Sequence, residues 1–192
     1  MWRTLPSPWQ GPLLALAAGL AYVFTYRLNE LIDPWALYAQ GINLVFLPAG
    51  IKHPAILLAG PWGALGCAIA LAGLATEFWS GWPLEHIALY SAISTGATWF
   101  GIRLSMRLLG IAPDLSNLQF LHLPLMDLIT TALHGFTTNA FFIGSGMKSD
   151  NFVSNALAMM FGDFVGSFIV LASLWLALVL LRRQRALQTD RD

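Results

Sequence analysis

The sequence predicts an all-α, polytopic membrane protein with about six transmembrane helices. The first observation is composition: of 192 residues, 57% are hydrophobic and only 10% are charged, whereas a soluble domain has about 25% charged residues. The second is a mean hydropathy of +0.64, which is too apolar for a small soluble core. The third is a set of six apolar runs. None alternates with a period of two, so helices are favoured over a β-barrel.

The six runs define the expected spans of a single integral membrane domain covering residues 1–192. Their approximate ranges are 11–28, 35–58, 60–79, 85–102, 120–143 and 154–181. Each run approaches the roughly 20 residues that a helix needs to cross a bilayer, and together they leave no room for a separate soluble domain. The first run follows a basic residue, as a secretory signal would, but the five later runs favour a retained first helix.

The charged residues predict the orientation of the chain in a bacterial inner (plasma) membrane. If both termini are cytoplasmic, the inner segments carry seven basic residues and the outer loops two, as the positive-inside rule requires. The seven are Arg3, Arg103, Arg107, Arg182, Arg183, Arg185 and Arg191. The outer loops hold Arg27 and Lys148, with the acidic residues Glu30, Asp33, Glu77, Glu85 and Asp150. The net charge is zero, so no positive field attracts nucleic acid.

The second run is interrupted by Pro48 and Gly50. Pro48 lacks a backbone N–H donor, and Gly50 permits conformations that are closed to other residues. Pro54 disfavours helical geometry at the residue before it. We therefore expect this second helix to be kinked or broken between residues 47 and 54, a range that includes Lys52 and that follows Asn43. Broken helices often form binding sites in membrane carriers. The alternative is a kinked structural helix whose Lys52 side chain extends to the membrane surface.

The fifth run carries polar residues at spacings of four, three and four, which place them on one helix face. They are Asp127, Thr131, His134 and Thr138. Asp127 and His134 are candidates to relay protons or to line a ligand site. The alternative is hydrogen bonding between helices, which needs no ligand. The spacing matches no metal-ligand pattern, so no metal site is predicted.

The sixth run places Asp163 among apolar residues, between Gly162 and Gly166. Glycines four residues apart allow another helix to approach closely, so both are predicted to serve helix packing. A buried carboxylate must be protonated or find a partner. We expect Lys52 to be that partner, with a histidine of the second or fifth run as the alternative.

No motif places a nucleophile beside its base, and none is typical of a nucleotide-binding loop. The sequence therefore predicts no catalytic residues and no enzyme activity, and it leaves any cofactor unknown. The single cysteine, Cys67, lies in an apolar run and is expected to be a small buried side chain.

Two segments resemble the MASE1 family of bacterial integral membrane sensory domains. Residues 43–51 are similar to an early apolar-x-Pro-x-Gly-Ile stretch of that family, and residues 162–166 to its Gly-Asp-x-x-Gly near the end of the domain. The implied coverage is roughly residues 12–181. In that family the membrane domain usually precedes a histidine kinase or a cyclic-di-GMP enzyme domain. Only about ten residues follow the last predicted span here, and typical members have more spans, so we expect a stand-alone sensor that signals through a separate kinase, cyclase or other membrane partner.

The expected function is therefore the sensing or binding of a small ligand within a helix bundle in the lipid bilayer. The expected site contains Asn43, Pro48, Gly50, Lys52, Asp127, Thr131, His134 and Asp163, with Lys52 and Asp163 as a charge pair and with Asp127 and His134 as the polar lining. The alternatives are a transport component, such as the solute-binding subunit of a vitamin importer or an ion-coupled carrier, and a structural accessory subunit of a membrane complex.

Overall fold

The structure, a computed structural model, describes residues 9–146 and 151–189. Within these residues the chain forms seven helices and one two-stranded hairpin, which confirms the all-α prediction. The helices are α1 (Gln10–Glu30), α2 (Asp33–Ala36), α3 (Ala49–Ala59), α4 (Pro61–Phe78), α5 (Leu84–Leu108), α6 (His122–Gly144) and α7 (Phe152–Thr189). The antiparallel hairpin pairs β1 (Leu37–Ala39) with β2 (Ile42–Asn43). Arg3, Lys148, Asp150 and Arg191, which contribute to the charge distribution above, lie outside the described residues.

Three helices of the described part are long and apolar enough to cross a membrane. They are Gln10–Glu30, Pro61–Phe78 and the Phe152–Ala177 part of α7. The chain therefore has the helices of a membrane protein, although three rather than six meet these criteria. α5 and α6 have 25 and 23 residues, which is sufficient length at about 1.5 Å per residue. Their buried serine, threonine, histidine and aspartate side chains make them less apolar.

α1 and α4 lie side by side and run in the same direction. Gly11 lies against the Trp62 ring near the start of both helices, and the Arg27 guanidinium binds the Glu77 carboxylate at 2.8 Å near their ends. Because the two helices are parallel, residues 31–60 must return from the end of α1 to the start of α4. The return path consists of α2, the hairpin and α3, and α3 has only 11 residues.

The predicted second span is consequently not one continuous helix. Its first part forms the hairpin and a turn, and α3 begins directly after Pro48. The start of α3 lies within the range of residues 47–54 in which a kink or break was expected, and the helix then continues through Pro54. Pro54 has no N–H, so the hydrogen bond that a residue at this position would donate to the Gly50 carbonyl is absent.

The turn between β2 and α3 passes between α1 and α7, and both helices satisfy its backbone donors. The Phe46 N–H donates to the Gly162 carbonyl oxygen at 3.0 Å, and the Leu47 N–H donates to Asn29 Oδ1 at 2.7 Å. Buried backbone groups without such partners would be costly within a membrane. These two bonds therefore allow a non-helical segment to lie inside the bundle.

Gly162 and Gly166 make this close contact possible. A Cβ atom at Gly162 would collide with the Asn43 carbonyl oxygen, and one at Gly166 with the Phe46 carbonyl oxygen. The two glycines were predicted to pack against another helix, but their partner is the turn between β2 and α3. The reason is that this turn occupies the position at which a continuous second helix was expected.

Two apolar clusters mark the ends of the bundle. At the hairpin end, the Phe142 ring of α6 lies 5.6 Å from that of Trp79 and stacks at 5.5 Å on Tyr90 of α5. At the opposite end, Ile56 of α3 packs in one cluster with residues from α5 and α6. α5 therefore runs away from the hairpin end, and α6 runs back towards it.

We predict that Gly166→Ala lowers the free energy of unfolding by about 1–3 kcal/mol, as is typical when a tightly packed position gains a methyl group. The matched control is Gly96→Ala in α5, where a Cβ would meet nothing within 4 Å. This control should preserve or raise stability, because alanine favours helices over glycine by about 1 kcal/mol. Unfolding in detergent, followed by tryptophan fluorescence, measures both. Equal effects of the two changes would contradict the proposed close contact.

Candidate functional site

Three of the predicted site residues meet in the centre of the bundle. Lys52 extends from α3, His134 from α6 and Asp163 from α7. Lys52 Nζ lies 3.2 Å from His134 Nε2, and His134 Nδ1 lies 2.5 Å from Asp163 Oδ2. All three residues are at most 3% exposed. We call this group the central triad.

One arrangement of protons in the central triad satisfies all three side chains. With Lys52 as an ammonium and Asp163 as a carboxylate, Lys52 donates to Nε2 of a neutral His134 imidazole, and Nδ1–H of that imidazole donates to Asp163. In this arrangement the buried group has no net charge.

The pairing differs from the sequence-based expectation. Lys52 and Asp163 were expected to bind directly, but His134 lies between them. Asp127 and His134 were expected to line the site together, and Asp127 pairs with His53 through Oδ1 and Nδ1. Asp127 and His134 are seven residues apart, which separates them by about 10 Å along α6.

His53 and Asp127 form a second buried pair, displaced from the central triad towards the opposite end of the bundle. Ser167 Oγ lies 3.4 Å from His53 Nδ1, and Ser167 is one helical turn beyond Asp163 on α7. His53 Nε2 is buried and has no hydrogen-bond partner in the described residues. The bundle therefore contains two histidine–aspartate pairs. They are linked through α3, because Lys52 contacts the first pair and its neighbour His53 belongs to the second.

Asn43 lies outside the central triad and secures the hairpin. Its Nδ2 group donates to Asp33 Oδ1 at 2.9 Å, and Asn29 Nδ2 donates to the same oxygen at 2.7 Å. Burial raises the pKa of Asp33, and these two hydrogen bonds oppose the shift. Asn29 thus ties the end of α1 to Asp33 of α2 and to the turn that follows the hairpin.

The other predicted site residues shape the surroundings. Pro48 is the residue that precedes α3, and Gly50 packs against α7, where a Cβ would lie 3.1 Å from the Ser167 Cα. Thr131 is fully buried, and its hydroxyl donates to the Leu128 carbonyl oxygen of its own helix at 3.2 Å. Thr131 therefore has a local hydrogen bond and does not join the titratable groups.

Ser94 was not among the predicted site residues, yet its Oγ lies 2.8 Å from His134 Nε2 and 3.4 Å from Lys52 Nζ. A signal was available, because small polar residues recur along one face of α5. They are Ser91, Ser94, Thr95, Thr98 and Ser105, and all are buried. This face of α5 lies against the polar face of α6. In the sequence its serines and threonines are interspersed among apolar residues, so the pattern was not recognised.

Ser94, His134 and Asp163 have the order of hydrogen bonds found in serine hydrolases. Ser94 is 2% exposed, however, and does not line the cavity that reaches the other two residues. The Lys52 ammonium also lies within hydrogen-bond distance of the hydroxyl. This geometry couples the hydroxyl to the buried charges and does not present it to a substrate in the cavity.

A cavity of about 290 Å³ reaches the central triad from the hairpin end. Exposed residues of the hairpin, including Leu37 and Gln40, line its mouth, and the buried His134 and Asp163 line its floor. Its size is near the lower limit of small-molecule sites, which are about 300–1,000 Å³. Among the described residues, no group of three or more histidine, cysteine, aspartate or glutamate side chains could hold a metal ion.

Comparison with protein-family models, with curated proteins and with solved structures gives no match. The resemblance to MASE1 domains therefore rests on the two sequence motifs. These motifs are in contact in the fold: residues 43–47 pack against Gly162 and Gly166, and the Phe46 N–H binds the Gly162 carbonyl. Lys52 and Asp163, which lie in or next to the two motifs, both belong to the central triad.

We predict that Lys52→Met and Asp163→Asn each destabilise the fold by about 3–5 kcal/mol, because each leaves an opposite charge buried without compensation. The double variant should lose much less than the sum of the two effects, since it removes both charges. A double-mutant cycle of unfolding in detergent measures the coupling. The exposed Glu85→Gln is the control and should change stability by less than about 0.5 kcal/mol. Additive losses would contradict coupling through His134.

Proposed function

We propose that this chain is a MASE1-like sensory protein of the bacterial inner membrane, which binds a small molecule in the cavity and signals through a separate kinase, cyclase or other membrane partner. The observation that carries the proposal is the cavity that ends at the central triad. Buried charges within a helix bundle are costly and commonly mark functional sites. Here a ligand could reach the Asp163 carboxylate and the His134 imidazole beside it directly.

The position of Asp163 suggests how binding is transmitted. A ligand that bound the Asp163 carboxylate would weaken its bond to His134 and change the electrostatic balance with Lys52. Asp163 lies on α7, which continues for 26 residues beyond it to Thr189. A ligand shifts a conformational equilibrium only if it binds one of the two states more tightly than the other. We propose that the two states are two positions of α7, and that a contact with the central triad makes the ligand bind one of them more tightly.

We further propose six membrane crossings with both termini in the cytoplasm. The support is the parallel arrangement of α1 and α4, which requires residues 31–60 to cross the bundle between them. In this topology the hairpin end faces the outside, and the second crossing combines the hairpin with the short α3. Non-helical backbone is tolerated at that depth because other parts of the protein surround it.

Cysteine labelling in intact cells tests this topology after Cys67→Ala removes the native thiol. We predict that Gln40→Cys and Glu85→Cys react with a membrane-impermeant maleimide, whereas Gln119→Cys reacts only after permeabilisation. All three positions are exposed. If only the three most apolar helices crossed, residues 40 and 85 would lie on opposite sides. Protection of residue 85 together with labelling of residue 40 would therefore refute the six-crossing topology.

Native mass spectrometry of gently purified protein tests ligand binding. We predict that the wild type retains a small molecule and that Met159→Trp loses it, because Met159 lines the cavity and a larger side chain would fill it. The matched control is Phe161→Trp, since Phe161 is 55% exposed and lies two residues away on α7. The control should keep the molecule. The absence of a bound molecule and of a protein partner from the wild type would contradict the sensor proposal.

A second candidate function, an ion-coupled carrier, is favoured by one observation. A separate cavity of about 50 Å³, lined by His53 and Asp127, approaches the buried pairs from the opposite end of the bundle. Titratable groups reached from both ends are typical of proton pathways. Proton uptake by liposomes containing the protein would support the carrier, and a stable complex with a kinase or cyclase would support the sensor.

A further inference from the structure

The residues with formal charges that line the cavity are acidic. Of the residues that line it, Asp33 near the mouth and Asp163 at the floor carry carboxylates, and none is lysine or arginine. The nearest described ammonium, on Lys52, lies behind the His134 ring and donates to Nε2 on the side away from Asp163. A molecule in the cavity would therefore meet negative groups first.

The wall between the two carboxylates is aromatic. Tyr26, Phe46, Phe78 and Tyr90 line the cavity. The Tyr26 ring stacks on Phe78 with centroids 5.7 Å apart and meets Phe46 edge-on at 6.4 Å, so three of the rings form one cluster. Aromatic faces attract cations through the negative potential of the ring, and this attraction strengthens where water is excluded.

The floor offers a carboxylate acceptor. His134 binds Oδ2 of Asp163, and Oδ1 is the second acceptor atom of the same group. Asp163 is 2% exposed, so its carboxylate meets little bulk water. Near the mouth, the buried Asn43 Oδ1 atom has no partner in the described part of the chain. Both atoms would accept a hydrogen bond from a ligand that carries N–H or O–H groups.

From this lining we infer that the cavity binds a small organic cation of the ammonium class, held between the Asp33 and Asp163 carboxylates against the Tyr26–Phe46–Phe78 cluster. The inference rests on the proposed function, because it names the chemical class of ligand for the same cavity. The cation would contact Asp163 from the side opposite His134. Binding would thus compete with the imidazole for the carboxylate, which is the step proposed above for signalling.

Three probes of nearly equal size and shape separate charge from shape. Choline carries a quaternary ammonium, 3,3-dimethyl-1-butanol is its neutral analogue, and 3,3-dimethylbutanoate is a related anion. We predict that isothermal titration calorimetry of the purified full chain detects choline binding at least tenfold tighter than binding of the alcohol, and no binding of the carboxylate. The physical reason is that only choline gains from both the carboxylates and the aromatic rings.

Two variants and one control assign the binding to this lining. Asp33→Asn and Phe46→Leu should each weaken choline binding at least fivefold, while the matched Glu77→Gln should leave it unchanged. Glu77 is a carboxylate at the same end of the bundle, but it is exposed, binds Arg27 and does not line the cavity. Because Phe46→Leu keeps an apolar side chain, its effect reports the ring itself, and unfolding curves establish that each variant is folded.

The outcomes distinguish the two proposals. If the alcohol or the carboxylate binds as tightly as choline, or if choline does not bind while the wild type still carries a molecule that Met159→Trp loses, the cation inference is overturned and the proposed function stands. If no probe binds and no molecule is retained, both fall. Choline binding that is insensitive to Asp33→Asn and Phe46→Leu overturns the assignment to this cavity.

Discussion

The fold depends on a non-helical segment that lies inside a helix bundle and must have its backbone hydrogen bonds satisfied there. Helices satisfy their own backbone groups, whereas the hairpin and the turn after it cannot. Their donors are bound by the Gly162 carbonyl of α7 and by the Asn29 side chain of α1. The small size of Gly162 and Gly166 allows α7 to come close enough. The hydrogen bonds and the glycines are thus two aspects of one requirement.

The central triad follows from this arrangement. Because the hairpin uses the first half of the return path, α3 begins midway through the bundle and places Lys52 and His53 in its first turns. At that depth the lysine ammonium cannot reach water, so it needs partners from α5 and α6. Residues of the hairpin, among them Leu37 and Ile42, line the cavity that ends at Asp163. The site therefore lies directly beside the break in the second helix.

The sequence was most informative where the evidence is local. Apolar runs and helix punctuation predicted helices, the disruption at Pro48 and the polar face of α6, because each depends on residues a few positions apart. The pairing of charges was predicted less well. Lys52, His134 and Asp163 are far apart in the chain, and which of them meet depends on relative helix depth. Ser94 was missed for a related reason: a serine in an apolar run is unremarkable until an imidazole is placed 2.8 Å from it.

The central triad also bears on the choice between a structural and a functional role for these charges. A buried ion pair is weak evidence for stability, since apolar side chains of similar volume often stabilise a protein as well or better. Helix association through polar contacts would need only serine, threonine and asparagine, which α5 and α6 already supply. What the charged residues add is a carboxylate at the floor of a cavity, where a bound ligand would alter its interaction with the rest of the bundle. A purely structural role leaves that cavity unexplained, whereas a ligand-responsive role explains both the charges and their position.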